Sequence, residues 1–338
     1  MKTLMQYLVL GVALMLLMFG VDRMGRKQPD QEPEPITESA AVTEAPAETT
    51  VPEATEPTLP PVSVSERLQQ AVQADAIEAG FVFAYDTAGE QMVFCTTSET
   101  QSLYPASITK LFSAWVALQI LPADAVVTAG WELGFLQPGS SMAFIALDSR
   151  LTVEMLIEGM LLPSGNDAAL VLAAAAGRRV LGKKNATASE AVAAFVQEMN
   201  RAAETVELQN SHFENPDGYH SENHYSCPAD LARIACLALD EPVIRRCMGL
   251  QQDTVTFVSG QTHHWENTNR LLNPESDCYA PEAVGMKTGY TGKAGYCLMA
   301  AFGQDWPLVV GIFGGTDPVS RYEDAAYLYT AWQSLSAE

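Results

Sequence analysis

Ser107-Ile-Thr-Lys110 places a hydroxyl and an amine three residues apart, directly after Tyr104-Pro105-Ala106. Three residues is close to one helical turn, so both side chains share a helix face near its start. A serine hydroxyl is a weak nucleophile until a base takes its proton. A lysine serves as that base when desolvation or a neighbouring cation lowers its pKa. A helix N-terminus adds free N–H groups and a favourable field for a developing oxyanion. The spacing alone is weak evidence, because roughly 0.4 random S-x-x-K matches are expected in a chain of this composition. A capping serine followed by a surface lysine would read the same way.

Two further motifs carry chemistry. Ser164-Gly165-Asn166 follows Leu161-Leu-Pro163 and precedes a helix-like stretch from Asp167 to Ala176. A loop there presents a hydroxyl that shuttles a proton and an amide that binds a carbonyl or orients the lysine. Simple N-capping by Ser164 or Asn166 is the competing local reading. Lys287-Thr288-Gly289 stands at the end of an apolar strand, Ala283–Met286. Its lysine and threonine suit a carboxylate. Gly289 lets a ligand backbone lie close against the strand. The competing reading is an edge strand ending in a turn with a solvated lysine. Lysine is scarce: only Lys2, Lys27, Lys110, Lys183, Lys184, Lys287 and Lys293 occur, so two inside motifs are informative.

These motifs must be positioned by a globular body, and composition supplies one. Apolar residues make up 48% of 338 residues, which rules out a wholly disordered chain. The formal net charge of −22 argues against nucleic-acid backbones and against electrostatic docking on anionic lipid heads. From residue 63 onward the chain alternates helix-like and strand-like stretches without an internal repeat. The helix-like stretches are 64–79, 107–120, 152–176, 189–205, 227–239 and 319–336. The strand-like ones are 80–86, 91–95, 253–258, 282–287, 295–303 and 307–314, the last three reading as adjacent antiparallel strands. Helices on a mainly antiparallel sheet predict an α+β or α/β sandwich.

The N-terminal part differs. Lys2 precedes an apolar run from Leu4 to Val21, broken only by Gln6 and followed by Arg23, Arg26 and Lys27. Eighteen residues give about 27 Å of helix, enough to cross a bilayer core. Phe19-Gly20-Val21-Asp22 is a poor cleavage site, which favours an uncleaved anchor over a cleaved signal within residues 1–27. Residues 28–62 hold eight of the 19 prolines, eight acidic residues and no basic, aromatic or glycine residue. Such a segment reads as a disordered spacer.

The six cysteines form no C-x-x-C pair, which argues against a zinc knuckle or redox motif. Cys227, Cys236, Cys247 and Cys297 fall on apolar stretches and read as buried free thiols. His220 and His224 have chelating spacing, but Gly218 and Pro228 bracket them in a loop, so no metal is expected.

The three motifs occur in order at Ser107, Ser164 and Lys287, 57 and then 123 residues apart. That motif set resembles those of class A β-lactamases and penicillin-binding proteins. Longer matches narrow the resemblance. Pro105–Lys110, Ser164-Gly-Asn-Asp-Ala168, Phe213-Glu-Asn-Pro-Asp-Gly218, His224–Ala232, Asn267-Thr-Asn-Arg-Leu-Leu272 and Gly285–Gly295 resemble the low-molecular-mass D-alanyl-D-alanine carboxypeptidases. These are serine penicillin-binding proteins of the S11 peptidase type. The resemblance covers about residues 63–338.

It implies a β-lactamase/transpeptidase-like fold, with an antiparallel sheet flanked by helices and a mainly helical subdomain. It implies that Ser107 is acylated, that Lys110 is its base and that Ser164 relays the proton to the departing D-alanine. Asn166 would bind the substrate amide. Lys287 and Thr288, with Gly289 in their strand, would grip the terminal carboxylate. The backbone N–H groups of Ser107 and Tyr290 would form the oxyanion hole, and Arg321 would help to hold the carboxylate. His224 would be structural. The substrate would be a peptidoglycan stem peptide ending in D-Ala-D-Ala, with β-lactams as covalent inhibitors and no cofactor. The protein would then work outside the cytoplasm in a bacterial envelope, tethered by residues 1–27 or secreted.

Departures also count. Only 49 residues follow Gly289, so a C-terminal anchoring domain found in many members is not expected here. Tyr290 stands where some members have histidine. A β-lactamase would need a deacylating glutamate and usually S-D-N, and neither is evident. A non-catalytic peptidoglycan-binding or β-lactam-sensing module is the alternative from another class. Intact Ser107, Lys110, Ser164, Asn166 and Lys287 argue against it. Endopeptidase or transpeptidase action on the same peptides is left open by the motifs.

Overall fold

Cys297-Leu-Met-Ala-Ala-Phe302 and Leu308-Val-Val-Gly-Ile-Phe313 are apolar at successive positions, so strands built from them must be covered on both faces. A computed structural model shows that arrangement. It describes residues 65, 66, 68–70, 80–305 and 307–336. The chain divides into two units, 1–59 and 60–338, and every described residue lies in the second. The expected apolar segment 1–27 and spacer 28–62 lie outside the described residues. Of the helix expected over 64–79, residues 65, 66 and 68–70 are described and are helical.

In chain order the elements are β1 (Phe81–Asp86), β2 (Gln91–Cys95), α1 (Thr109–Leu118), β3 (Val126–Thr128), β4 (Arg150–Thr152), α2 (Val153–Leu161), α3 (Asn166–Leu181) and α4 (Ala188–Thr205). There follow α5 (Pro228–Asp240), α6 (Pro242–Gly249), β5 (Gln252–Thr256), β6 (Thr262–Glu266), β7 (Ala283–Thr291), β8 (Gly295–Phe302), β9 (Leu308–Gly315) and α7 (Ser320–Ser336). Five strands form one antiparallel sheet in the order β2-β1-β9-β8-β7. Its β7 edge is open.

Alternate side chains of β8 and β9 enter two cores. Leu298, Ala300, Phe302, Val310 and Ile312 pack with Tyr322, Ala325 and Leu328 of α7. Met299, Ala301, Val309 and Phe313 join Phe83 in the larger core with α1 to α6. Each large side chain buried there contributes about 1.5–3 kcal/mol. Gly311 is opposite Phe83, and a Cβ on it would come within 2.1 Å of that ring. The α+β architecture expected from the sequence is the one observed.

Helix α1 runs through the larger core. Leu111, Phe112, Ala114 and Ala117 are fully buried, and Lys110 is buried with them. Its amine is therefore walled off from bulk water by the fold itself.

Several boundaries differ from the sequence reading. The stretch 152–176 is two helices, α2 and α3, because Pro163 and the left-handed Ser164 break the run. Strand β7 does not stop at Met286 but continues through the K-T-G motif to Thr291. Helix α6 and strands β3, β4 and β6 are short, and their polar or mixed patterns hid them.

Candidate active site

The 3-10 turn Ala106–Ile108 leads into α1 and carries Ser107. The Lys110 ammonium nitrogen lies 2.8 Å from Ser107 Oγ, 2.8 Å from Asn166 Oδ1 and 2.8 Å from the Asp217 carbonyl oxygen. Burial pushes the Lys110 pKa down to about 8, against the opposing pull of Asp217 and Asp167. The turn is strained: Ala106 has φ +48, a left-handed value for a non-glycine residue.

The loop from Phe213 to Tyr219 closes over this turn. Asn215 Oδ1 accepts from Gly218 N at 2.8 Å and its Nδ2 donates to Tyr219 O at 2.8 Å, which folds the loop tightly. Gly218 lies so close that a Cβ would come within 1.8 Å of the Ala106 carbonyl oxygen. His224 ties the loop down from below. Its Nδ1 accepts from Glu214 N at 3.2 Å, which leaves Nε2–H to donate to Thr109 Oγ1 at 2.9 Å. Burial pushes the His224 pKa down to about 4.

Ser164 sits in the turn between α2 and α3 with φ +62 and is nearly buried. Its hydroxyl makes no hydrogen bond among the described residues. Gly165 follows it because there is no room for a side chain: a Cβ would lie 2.7 Å from Ala143 Cβ and 2.7 Å from Gly159 O. Asn166 donates from Nδ2 to Ser140 Oγ at 3.1 Å. The buried Asp167 carboxylate accepts from Ala143 N at 2.8 Å and Ile145 N at 2.9 Å, while Trp265 Nε1 donates to Ala143 O at 3.0 Å. These bonds fix loop 138–145 beside the S-x-N turn. Neither Ser164 nor Asn166 is a side-chain cap of α3.

Lys287 and Thr288 lie on β7 and are buried. Lys287 Nζ donates to Thr288 O at 3.0 Å. Burial, the Lys110 charge and Arg321 hold its pKa well below the usual lysine value. Thr288 Oγ1 is 2.6 Å from Thr268 Oγ1. Gly289 backs onto the Ser107 turn: a Cβ there would lie 3.0 Å from Ala106 Cβ and 3.1 Å from Ser107 N. Its lack of a side chain suits the close approach of the protein's own backbone, a reason the sequence did not reveal. Tyr290 is exposed and tilts against Tyr296, with ring centroids 4.5 Å apart. Arg321 donates from Nη1 to Gly289 O at 3.1 Å and Cys297 O at 3.0 Å, and from Nη2 to Tyr322 OH at 3.0 Å. It is therefore bound into the sheet from behind the K-T-G strand. Ser107, Ser140, Asn166, Gly218, Tyr219 and Tyr290 line a cleft of about 340 Å³ beside the open β7 edge.

A family model described as D-alanyl-D-alanine carboxypeptidase, peptidase S11, matches residues 68–315. The chain belongs to the peptidase S11 family. It is 29% identical over 236 residues to D-alanyl-D-alanine carboxypeptidase DacF of Bacillus subtilis, covering 68% of this chain and 56% of that one. It is 32% identical over 229 residues to a D-alanyl-D-alanine carboxypeptidase of Streptomyces sp. strain K15, covering 65% and 75%. The solved Streptomyces K15 DD-transpeptidase superposes with a TM-score of 0.68 at 30% identity, covering 77% of this chain and 98% of that one. This S11 chain thus spans about half of its Bacillus relative and three quarters of its Streptomyces one.

For an S11 domain, the instructive surprises are main-chain contacts. The Asp217 carbonyl, a partner of Lys110, was not singled out by sequence, because side-chain spacing says nothing about a carbonyl. Thr268 and Ser140, partners of Thr288 and Asn166, were also missed as site residues. Thr268 lies within the Asn267-Thr-Asn motif and Asp217 within Phe213–Gly218, the two available signals. All six cysteines are free; Cys227, Cys247, Cys278 and Cys297 are buried, whereas Cys95 and Cys236 are half-buried. Among the described residues no group of three or more His, Cys, Asp and Glu side chains could hold a metal ion.

Proposed function

We propose that this chain is a serine D-alanyl-D-alanine carboxypeptidase that removes the terminal D-alanine of peptidoglycan stem peptides through an acyl-enzyme on Ser107. The observation that carries the reading is the buried Lys110 amine, 2.8 Å from Ser107 Oγ, with its pKa lowered to about 8. A neutral amine at that distance takes the serine proton as Oγ attacks the carbonyl carbon between the two D-alanines. The carbonyl oxygen becomes an oxyanion held by the N–H groups of Ser107 and Tyr290. Collapse breaks the C–N bond, and Ser164 passes the proton to the departing D-alanine nitrogen. Water then attacks the ester, restoring Ser107. Asn166 holds the substrate amide. Lys287 and Thr288 attract the terminal carboxylate.

A β-lactam carries the same carbonyl with its leaving nitrogen tethered in a ring, so it acylates Ser107 and stays. Such substrates lie outside the cytoplasmic membrane, which fits residues 1–27 as a tether and 28–62 as a spacer. Among the described residues no helix is long and apolar enough to cross a membrane.

The test is an intact-mass time course of the full chain with excess benzylpenicillin, beside Ser107→Ala. A lasting adduct on the wild type alone, with D-alanine release from diacetyl-L-Lys-D-Ala-D-Ala, supports the reading. Drug turnover without an adduct indicates a β-lactamase. Neither adduct nor turnover by folded protein leaves a binding module. The solved K15 relative is called a DD-transpeptidase, so glycine is included as an amine acceptor to separate transfer from hydrolysis.

A further inference from the structure

Trp131 is 80% exposed and Phe144 69%, more than any other large apolar side chain among the described residues. Phe144 is held out by the fold. Its neighbours Ala143 and Ile145 are buried and donate their N–H groups to the two oxygens of Asp167, at 2.8 and 2.9 Å. Between them Phe144 takes φ +61, a left-handed value that bulky side chains rarely adopt. The strain buries nothing; it presents a ring to the outside.

Val126, Leu147 and Val258 are exposed as well, and main-chain bonds stitch their segments to those of Trp131 and Phe144. Thr128 of β3 pairs with Arg150 of β4, which puts Val126, Thr128 and Arg150 on one face of that ribbon. Val127 and Leu151 are buried on the other face. Ala129 N donates to Ser149 O at 2.9 Å and Asp148 N to Ala129 O at 3.0 Å, so Leu147 lies beside the segment that leads to Trp131. Arg150 N donates to Ser259 Oγ at 2.8 Å, which brings the β5–β6 turn and Val258 alongside β4.

This face is neutral in a chain of net charge −22. Between Ala125 and Thr152 the only charged side chains are Glu132, Asp148 and Arg150. Glu132 is buried against Arg178 at 3.1 Å. Asp148 and Arg150 are exposed and offset each other, and the Arg150 guanidinium has no ion-pair partner among the described residues. The hairpin stretch 254–265 carries no Asp, Glu, Lys or Arg.

We propose that this face rests on a lipid bilayer, with Trp131 and Phe144 in the zone between headgroups and acyl chains. Amphipathic and aromatic rings favour that zone. None of the five apolar side chains lines the cleft at Ser107 or the grooves along α4 and α5. They project from separate strands and turns, a shape that suits a soft continuous surface rather than a knob on a protein partner. A headgroup phosphate supplies the partner that Arg150 lacks. With no net charge to repel, a phospholipid surface meets this face more easily than the acidic remainder of the chain. The apolar run Leu4–Val21 and the segment 28–62 precede the described domain. A segment of that length reaches at most roughly 120 Å extended and averages about 33 Å as a coil, so a tether there permits the contact. The loop of Phe144 also lends Ser140 and Ser141 to the cleft, so docking holds the cleft beside the bilayer. The contact is independent of the chemistry at Ser107.

The test follows tryptophan emission of the full chain reconstituted in phosphatidylcholine vesicles, with and without brominated acyl chains, which quench on contact. Trp131→Phe is measured beside the wild type, so the difference isolates one of five tryptophans. Bromination is expected to remove about a fifth more of the emission from the wild type than from Trp131→Phe. Leu147→Glu combined with Val258→Glu is expected to abolish that difference, with the melting temperature as the check on folding. Val126→Glu alone serves if the double variant folds poorly, and is expected to reduce the difference at least about twofold. Equal quenching of wild type and Trp131→Phe overturns the proposal, as does a difference that survives the glutamate substitutions in folded protein. Trp131 emission that shifts to the blue with protein density and ignores the bromine identifies a second copy of the chain as the occupant, and overturns the lipid contact.

Discussion

Arg321 Nη1 donates to the carbonyl of Gly289 at 3.1 Å and, forked, to that of Cys297 at 3.0 Å. Its guanidinium lies between two rings, 5.3 Å from the Tyr296 centroid and 4.8 Å from that of Tyr322. A trans peptide points its C=O and N–H in opposite directions. With the Gly289 carbonyl turned toward Arg321, the Tyr290 N–H is turned away from Arg321. Arg321 therefore helps to fix the peptide whose N–H serves as the second oxyanion donor in the mechanism proposed above, a role that differs from the carboxylate grip that the family resemblance implies.

Arg321→Gln should accordingly slow acylation of every substrate by about 100-fold, the usual cost of one oxyanion donor. Two acyl donors are compared, one with a free terminal carboxylate and one with that group amidated. Equal losses place Arg321 behind the oxyanion hole. A loss confined to the carboxylate-bearing donor would return it to the role of carboxylate partner.

Lys110 sets a pH dependence whose sign follows from its burial. Desolvation disfavours the ammonium form, so the amine loses its proton at about 8 rather than at the usual lysine value. Below that point the neutral base falls about tenfold per pH unit. Acylation by benzylpenicillin should therefore rise steeply from pH 6 and level off above pH 8 to 9. Lys110→Arg keeps the charge but cannot act as a base, and should lose at least about 1000-fold at every pH. A wild-type rate flat from pH 6 to 9 would remove Lys110 from that role.

The nucleophile helix, the S-x-N turn and the K-T-G strand were legible because each couples a residue type to a local period. Ser107 and Lys110 share a helix face by spacing alone, and the apolar runs of β8 and β9 announce strands covered on both sides. The order of the motifs then singled out a family. What stayed hidden was made by main chain and by distant contact. The Asp217 carbonyl meets Lys110 across a sequence separation of 107 residues. Gly289 is small because Ala106 and Ser107 lie behind it. Arg321 reaches Gly289 from α7. The mixed pattern of β6 gave no clear period, so Trp265 was not connected to Ala143 and the S-x-N turn.

His224 predicts an acid limit to stability. Its pKa is lowered to about 4 by burial, below its unfolded value near 6.5. The folded protein thus refuses a proton that the unfolded chain accepts between those values. The stability is fully present above about pH 6.5 and is lost as pH falls toward 4, by up to about 3 kcal/mol. Thermal melts across that window should show the drop. His224→Gln should be less stable at pH 7 but flatter with pH. A mutant curve as steep as the wild type would assign the acid sensitivity to other groups.

Two glycines test how tightly the nucleophile turn is enclosed. On Gly218 a Cβ would come within 1.8 Å of Ala106 O, and its φ of +78 disfavours any side chain. Gly218→Ala must therefore move the loop that supplies the Asp217 carbonyl, and should cost about 3 kcal/mol or more. On Gly289 the contacts are looser, 3.0 Å to Ala106 Cβ and 3.1 Å to Ser107 N, with ordinary strand dihedrals. Gly289→Ala should fold with a loss of about 1 kcal/mol. Its methyl nevertheless presses on the Ser107 N–H, one of the two oxyanion donors in the mechanism proposed above, so acylation should fall by about tenfold or more. Melting temperature and benzylpenicillin acylation measured side by side separate the two effects. Gly289→Ala with wild-type acylation would show that the turn yields without disturbing the donor, and would loosen the link drawn here between the K-T-G strand and Ser107.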